Sequence, residues 1–377
     1  MAIAMTRRTA LTLAGGAALT GGLSIAGGTG MASQQTPESA GFAPDIDERL
    51  TLGVRSGLLS NLHAVLALRD GDIVLERYFT GADEDWGRPL GTVDFDAATL
   101  HDLRSVTKSI TSLVYGIALD QGRVAAPGDR LLDSFPQYPD LAEDPQRSAW
   151  TVSDALNMTL GTEWNEQLPY TDPRNSEIAM EQADDRYRFI LDRSIVSEPG
   201  TRWNYNGGCS ALLGYLVERG TGQRLDEFAN EALFAPLGIE TFEWNRGKDG
   251  AVATASGLRL TARDLARIGE MMRADGRHDG GQVVSSQWLE RCRTPQVQAS
   301  YGNKYSNQWY VSGQPVPAVN GFREAVFAMG NGGQRLYVMP SLDLTVVTYS
   351  GNYNRMDQWI NPTLVLQKIV LANLVDL

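Results

Sequence analysis

The chain is poor in the residues that most often announce a metal or redox centre. Its 377 residues include two cysteines, Cys209 and Cys292, and three histidines, His63, His101 and His278. No two histidines stand at a spacing such as His-x-x-x-His, which argues against a zinc hydrolase. Neither a metal nor a cofactor is expected. The cysteines can pair in an oxidising compartment, but two buried, reduced thiols is the default reading. Positive charge is short as well: 33 Lys and Arg face 45 Asp and Glu, for a net charge of −12. Nucleic acid and anionic lipid are both held through basic patches, so neither is expected as a partner. Beyond the N-terminal region no apolar run approaches the ~18 residues needed to span a bilayer, which argues against stable membrane insertion. The composition, 42% hydrophobic and 21% charged, is that of a well-cored globular protein. Its length suits one large domain or two intimately packed ones, and leaves the oligomeric state open.

The chain opens on Thr6-Arg7-Arg8-Thr9-Ala10-Leu11, followed by an uncharged stretch rich in Gly and Ala to about Gly30. This is the pattern of a twin-arginine export signal, expected to occupy residues 1–32 and to place the mature protein in a periplasmic or extracellular compartment. A membrane anchor is the alternative reading, disfavoured by the glycine content.

Strand and helix signals divide the remainder. An N-terminal helix is expected within 37–59. Two β-rich runs, His63 to Leu68 and Ile73 to Phe79, are joined through Asp70-Gly71, a hairpin signal. From 100 to 257 the pattern is mostly helical. Helices over 261–274 and 285–292 then lead to strands over 307–312, 324–329, 334–339 and 342–350, and a helix over 358–374 closes the chain. Each strand set is too small to stand alone, so the two are expected to pair into one antiparallel sheet covered by the terminal helices. The predicted fold class is therefore α+β, an α/β sandwich. Residues 33–99 and 258–377 form its sheet-containing part, and 100–257 an inserted, mostly helical domain.

The chemistry is concentrated at three stations. Ser105-Val106-Thr107-Lys108 begins a helical run, and residues three apart meet across one turn. An amine beside a serine hydroxyl can take its proton if the amine is itself kept neutral. Helix N-terminal amides around Ser105 favour developing negative charge. The plainer alternative is a serine cap with a solvated lysine one turn on. Tyr205 stands directly before a Gly-Gly helix entry, in Trp203-Asn204-Tyr205-Asn206-Gly207-Gly208. Phenol and lysine have similar ordinary pKa values, so Tyr205 can act as base toward Ser105 and acid toward a leaving group, or be an ordinary core tyrosine. The third station, Phe327-Ala328-Met329-Gly330-Asn331-Gly332-Gly333-Gln334, is glycine-rich. Its backbone can approach a substrate and supply an oxyanion donor, or simply make a turn. Gly208-Cys209-Ser210-Ala211-Leu212 only half matches a nucleophile elbow and is set aside.

In this order the three stations resemble the serine β-lactamase and penicillin-binding-protein family, in particular its class C-like branch of esterases and 6-aminohexanoate-dimer hydrolases. The phrases Leu156 to Gly161, Leu233 to Ile239 and Ala255 to Leu265 extend the likeness over most of the chain. The resemblance implies a β-lactamase/transpeptidase-like fold. It makes Ser105 the acylated nucleophile, Lys108 its activator and Tyr205 the proton shuttle, with the amides of Ser105 and Asn331 as oxyanion hole. Two positions depart from the pattern. Class C β-lactamases carry Tyr-x-Asn where this chain has Gly207, and Lys-Thr-Gly where it has Ala328-Met329-Gly330. Both lost side chains would contact a β-lactam, so a small uncharged amide or ester is the expected substrate. The pocket is expected between the helical domain and the sheet, with Tyr170 and Asp172 on a loop with Trp164, facing Trp309, Tyr310 and Gly330. Rival readings are a non-catalytic penicillin-binding-like sensor and a D,D-peptidase or weak β-lactamase.

Overall fold

Residues 33–376 are described by the computed structural model of the chain, so the twin-arginine segment lies outside the described residues. After helix α1 (Ile46–Arg55) the chain forms β1 (Leu62–Arg69) and β2 (Asp72–Tyr78). The turn between them holds Asp70 at φ 50° and Gly71 at φ 86°, the left-handed pair that a tight hairpin needs. A polar hairpin of β3 (Thr80–Asp85) and β4 (Arg88–Asp94) follows, then the short β5 (His101–Asp102), which leads into helix α2 (Val106–Asp120).

The helical stretch continues through α3 (Pro139–Ala142), α4 (Val152–Leu156), α5 (Ser176–Glu181), α6 (Arg186–Leu191), α7 (Gly207–Thr221) and α8 (Leu225–Ala229). Strand β7 (Leu258–Leu260) returns to pair with β5 on one edge and with β6 (Glu243–Trp244) on the other. Next come α9 (Ala262–Arg273), a small ribbon of β8 (Arg277–His278) and β9 (Gly281–Gln282), and α10 (Ser286–Arg293). The second strand set is β10 (Val297–Gln298), β11 (Lys304–Ser306), β12 (Trp309–Val316), β13 (Gly321–Gly330), β14 (Gln334–Met339) and β15 (Leu344–Ser350), closed by α11 (Ile360–Leu364) and further helical turns to Asn373.

The two strand sets do form one antiparallel sheet, in the order β10-β11-β12-β13-β14-β15-β1-β2. The join is β15 on β1, with Leu66 opposite Val347. Every residue of β14 and β15 is buried, which requires cover on both faces. Helix α9 packs across β1, β14 and β15, while the C-terminal helical turns pack against β12 and α1. One hydrophobic core runs from these layers into the helical stretch, where α2 lies against α7. Both cysteines are buried and unpaired. Among the described residues no helix is long and apolar enough to cross a membrane.

The β3–β4 hairpin carried no strand signal, because its residues are largely polar and exposed. Its register, Thr80 opposite Asp94 through Asp85 opposite Arg88, is set by backbone pairing rather than by an apolar face.

Candidate active site

Ser105 sits at the N-terminus of α2, whose residues Val106 through Ala118 are all buried. The preceding Arg104 has φ 48°, so the chain turns sharply out of β5 before the helix begins. Ion pairs to Glu84 (2.5 Å) and Asp102 (3.2 Å), and the ring of Tyr353 at 4.7 Å, hold that arginine. A non-glycine residue in this conformation beside a reactive group is local strain held by its surroundings.

One turn on, the Lys108 ammonium is buried and spends its three N–H groups on three acceptors: Ser105 Oγ (3.1 Å), Glu177 Oε2 (3.0 Å) and the Ala255 carbonyl (2.8 Å). Glu166 Oε2 lies 4.0 Å away. Burial alone would lower the lysine's pKa, but the Glu177 and Glu166 charges outweigh it and raise it. The resting Lys108 is thus a hydrogen-bond donor to Ser105, not the neutral amine that direct proton abstraction requires.

Tyr205, on the approach to α7, completes the group. Its ring centroid lies 5.0 Å from Lys108 Nζ, and its phenol hydrogen-bonds Ser105. Burial raises its pKa, with the Lys108 charge pulling the other way. With Lys108 donating to Ser105 Oγ, the serine's own proton is free to point at the phenol oxygen.

Glu166 and Glu177 carried no sequence signal of their own. Glu177 lies in α5, capped by Asn175, whose side chain accepts from the Glu177 amide at 3.0 Å. Glu166 accepts from Trp164 Nε1 (2.6 Å), the Gly207 amide at the start of α7 (2.5 Å) and the Tyr170 hydroxyl (3.0 Å). Burial pushes the Glu166 carboxyl up to about 7, whereas Lys108 holds Glu177 below its ordinary value. Near pH 7 Glu177 is ionised and Glu166 only partly so, and the pair carries between one and two negative charges beside one ammonium.

Gly207, the residue in the asparagine position, is explained by these carboxylates. A Cβ there would stand 2.7 Å from Glu177 Oε2 and 3.0 Å from Glu166 Oε1. The space of the lost side chain is filled by the two glutamates, and that vacancy was the one readable hint of them.

At the third station, the end of β13 packs Gly330 against the Leu103 carbonyl and the Arg104 Cβ, immediately upstream of Ser105. The turn that follows carries Asn331, then Gly332 at φ 96° and Gly333 at φ 104°, conformations that suit glycine. The Asn331 side chain is engaged by Asn354, whose amide donates to Asn331 Oδ1 at 2.8 Å. Tyr170 enters the site through Glu166, as above. Asp172 shares its loop but its carboxylate is taken by Arg174, at 2.6 and 3.0 Å. Trp309 is fully buried. Successive strand residues face opposite ways, and its neighbour Tyr310 joins Trp203 and Tyr305, an aromatic group that lies alongside Tyr205.

A sequence model of the beta-lactamase family matches residues 59–359, and the chain belongs to that family of serine hydrolases. It is 26% identical over 330 residues to the 6-aminohexanoate-dimer hydrolase of Paenarthrobacter ureafaciens, covering 81% of this chain and 75% of that one. Esterase EstB of Burkholderia gladioli is 28% identical over 213 residues, 54% of this chain and 51% of the esterase. Among solved structures, a penicillin-binding protein homolog from Caulobacter crescentus superposes with a TM-score of 0.64 at 16% identity, over 89% of this chain and 99% of that one. The β-lactamase/transpeptidase-like fold expected from the three stations is thereby established.

Proposed function

We propose that the protein is an exported serine hydrolase that cleaves small, uncharged esters or amides through an acyl-enzyme on Ser105. The observation that carries this reading is the contact of Ser105 Oγ with a buried ammonium at 3.1 Å and with the Tyr205 phenol, at a helix N-terminus. In the proposed reaction Ser105 Oγ bonds to the substrate carbonyl carbon while its proton passes to the Tyr205 oxygen and the Tyr205–Lys108 unit hands one proton on to the Glu166–Glu177 carboxylates beside Lys108. The same unit returns the proton to the leaving alcohol or amine as the carbonyl–heteroatom bond breaks. Water, giving a proton to that unit, then attacks the acyl carbon, the bond to Ser105 Oγ breaks, and the unit returns the proton to Ser105 as the acid leaves. The amides of Ser105 and Asn331 are assigned to the developing oxyanion, a role supported by the packing of Gly330 on Leu103 and Arg104.

Two features favour neutral substrates. Ala328 stands fully buried where the family's lysine is expected, and the Arg335 Nη1 nearby is turned to the carbonyls of Gly330 and Gln334. The relatives named as a 6-aminohexanoate-dimer hydrolase and an esterase support the amide and ester classes.

The test is covalent labelling by a fluorophosphonate followed by intact-protein mass spectrometry, beside turnover of p-nitrophenyl acetate. A single adduct on Ser105 and loss of both labelling and turnover in Ser105→Ala are expected. Retained turnover by a folded Ser105→Ala protein would overturn the assignment.

A further inference from the structure

Behind the strand that delivers Ser105, three hydrogen-bond acceptors converge with no donor between them. His63 of β1 and His101 of β5, 38 residues apart in sequence, bring Nδ1 and Nε2 to 2.8 Å from each other. Asp83 Oδ1 of β3 lies 3.7 Å from His101 Nε2 and 4.0 Å from His63 Nδ1. All three residues are buried.

The outer ring nitrogens fix the tautomers. Asn61 accepts the Ala82 amide on Oδ1 at 2.9 Å and donates from Nδ2 to the Ala82 carbonyl at 3.0 Å, so its orientation is settled by the backbone. Its Oδ1 therefore faces His63 Nε2, at 3.2 Å, and that nitrogen must be the N–H. Likewise His101 Nδ1 faces the Asp102 carbonyl at 3.0 Å and must donate to it. The inner nitrogens are then both bare lone pairs, directed at one another and at a carboxylate. The Tyr353 hydroxyl already donates to Asp83 Oδ1, at 2.8 Å, and does not reach between them.

Three acceptor atoms gathered this closely suit a cation between them. A shared proton would bond the two nitrogens but leave Asp83 Oδ1 outside hydrogen-bond reach of either ring. The separations of 2.8, 3.7 and 4.0 Å leave one point, in the plane of the three atoms, at about 2.1 Å from each, which is the ordinary ligand distance of such an ion. The ligands are pre-set: His63 is stacked on Phe95 at 4.2 Å and His101 on Tyr349 at 4.5 Å. Asp83 is moreover the one buried residue of β3.

We propose that His63, Asp83 and His101 bind one divalent transition-metal ion of the zinc class, as a structural site distinct from the Ser105 chemistry. Two imidazoles and a carboxylate are ligands suited to that ion. Bound there, the ion ties β1, β5 and the otherwise exposed β3–β4 hairpin together, and so braces the segment His101 to Arg104 that ends at Ser105. No local histidine motif could reveal the site, because each ligand comes from a different strand.

The test uses the full chain purified from zinc-supplemented medium, in wild-type and Ser105→Ala forms. One zinc per chain by elemental analysis is expected in both, since the site does not depend on the nucleophile. Chelation should lower the melting temperature and added Zn2+ should restore it, and Co2+ should give visible d–d absorption with a 1:1 endpoint. Asp83→Asn keeps an oxygen for Tyr353 but loses the charge, and should weaken Co2+ binding at least tenfold. If that variant does not fold, the wild-type stoichiometry, melting shift and Co2+ spectrum decide alone. Absence of bound metal together with no response to Zn2+ or Co2+ would overturn the proposal and leave the shared proton. Unaltered Co2+ affinity in a folded Asp83→Asn protein would overturn it equally.

Discussion

Glu166→Gln tests whether the buried carboxylate pair sets the charge of the nucleophile's proton-transfer unit. Glutamine is a near-isostere of the neutral acid: its oxygen can still accept from Trp164 Nε1 and the Gly207 amide, while its amide nitrogen takes the place of the oxygen beside Tyr170. In the wild type, burial moves the Glu166 carboxyl from an ordinary 4.5 to about 7. Between those pH values the folded state holds a proton that the unfolded chain has released, so stability falls as pH rises through this window. The fall amounts to about 3 kcal/mol at most, at 1.36 kcal/mol per pH interval of one. Glu177, held below its ordinary value by Lys108, is ionised in both states above about pH 5 and adds no slope there. Ionised Glu166, 4.0 Å from Lys108, is also the acceptor available for the proton that the Tyr205–Lys108 unit takes up from Ser105. The wild type is therefore expected to gain kcat/KM for p-nitrophenyl acetate as pH rises through about 7, while losing stability over the same interval. In Glu166→Gln both dependences should flatten and the acid limb of the rate profile should move. The assays are kcat/KM from pH 5 to 9 and urea unfolding at matching pH values. An acid limb and stability slope that are unchanged in the variant would refute the assignment of this titration to Glu166.

Lys108→Met strands Glu177 in the core without its cation, which costs about 3–5 kcal/mol while the carboxylate is charged; the variant should melt higher at pH 5 than at pH 7, the reverse of a simple packing defect. Tyr205→Phe should slow acylation by orders of magnitude, and combining it with Lys108→Met should be little worse than the worse single change, because residues that act as a unit lose function non-additively; independent multiplication of the two rate losses would contradict that unit. Gly207→Ala places a methyl 2.7 Å from Glu177 Oε2, an overpacking expected to cost about 1–3 kcal/mol in urea unfolding and to slow turnover; an unaffected protein would show that the carboxylates yield freely. Nitrocefin should be turned over less efficiently than p-nitrophenyl butyrate, since an unmade charge-assisted hydrogen bond to its carboxylate forfeits about 1.5–3 kcal/mol; a higher kcat/KM for nitrocefin would restore a β-lactamase reading.

Much of the fold was legible because the informative segments carry strong local signals. Asp70-Gly71 between apolar runs fixes the β1–β2 hairpin, and the helical recurrence from Ile110 to Leu119 fixes α2. The pairing of β15 with β1 followed from a physical requirement, since neither strand set could cover itself. The β3–β4 hairpin was invisible for the converse reason. Its strands bury almost nothing, and what docks it is the single carboxylate of Asp83 together with Glu84 and Asp85 on arginines.

At the site, the residues bound to backbone motifs were readable and those that arrive from loops were not. Ser105 and Lys108 are one helical turn apart, so spacing alone places them together. Glu166 and Glu177 reach Lys108 from a polar loop and a six-residue helix, where a glutamate looks like any solvated acid. Trp309 and Tyr310 were named together because strand parity decides which of two neighbours faces a given side, and the first residue of β12 could not be fixed from pattern. Gly207 shows how such a gap can be closed. Read as a bare loss, it suggests a weakened family site; read with the side-chain volume it gives up, it requires a replacement occupant. The occupants are two carboxylates that hold Lys108 as an ammonium. The absence of a side chain at Gly207 thus leaves room for the carboxylate pair beside Lys108. Any larger side chain at 207 would compete with the carboxylates for that space, so Gly207→Asn is expected to displace them before it could recruit a new substrate.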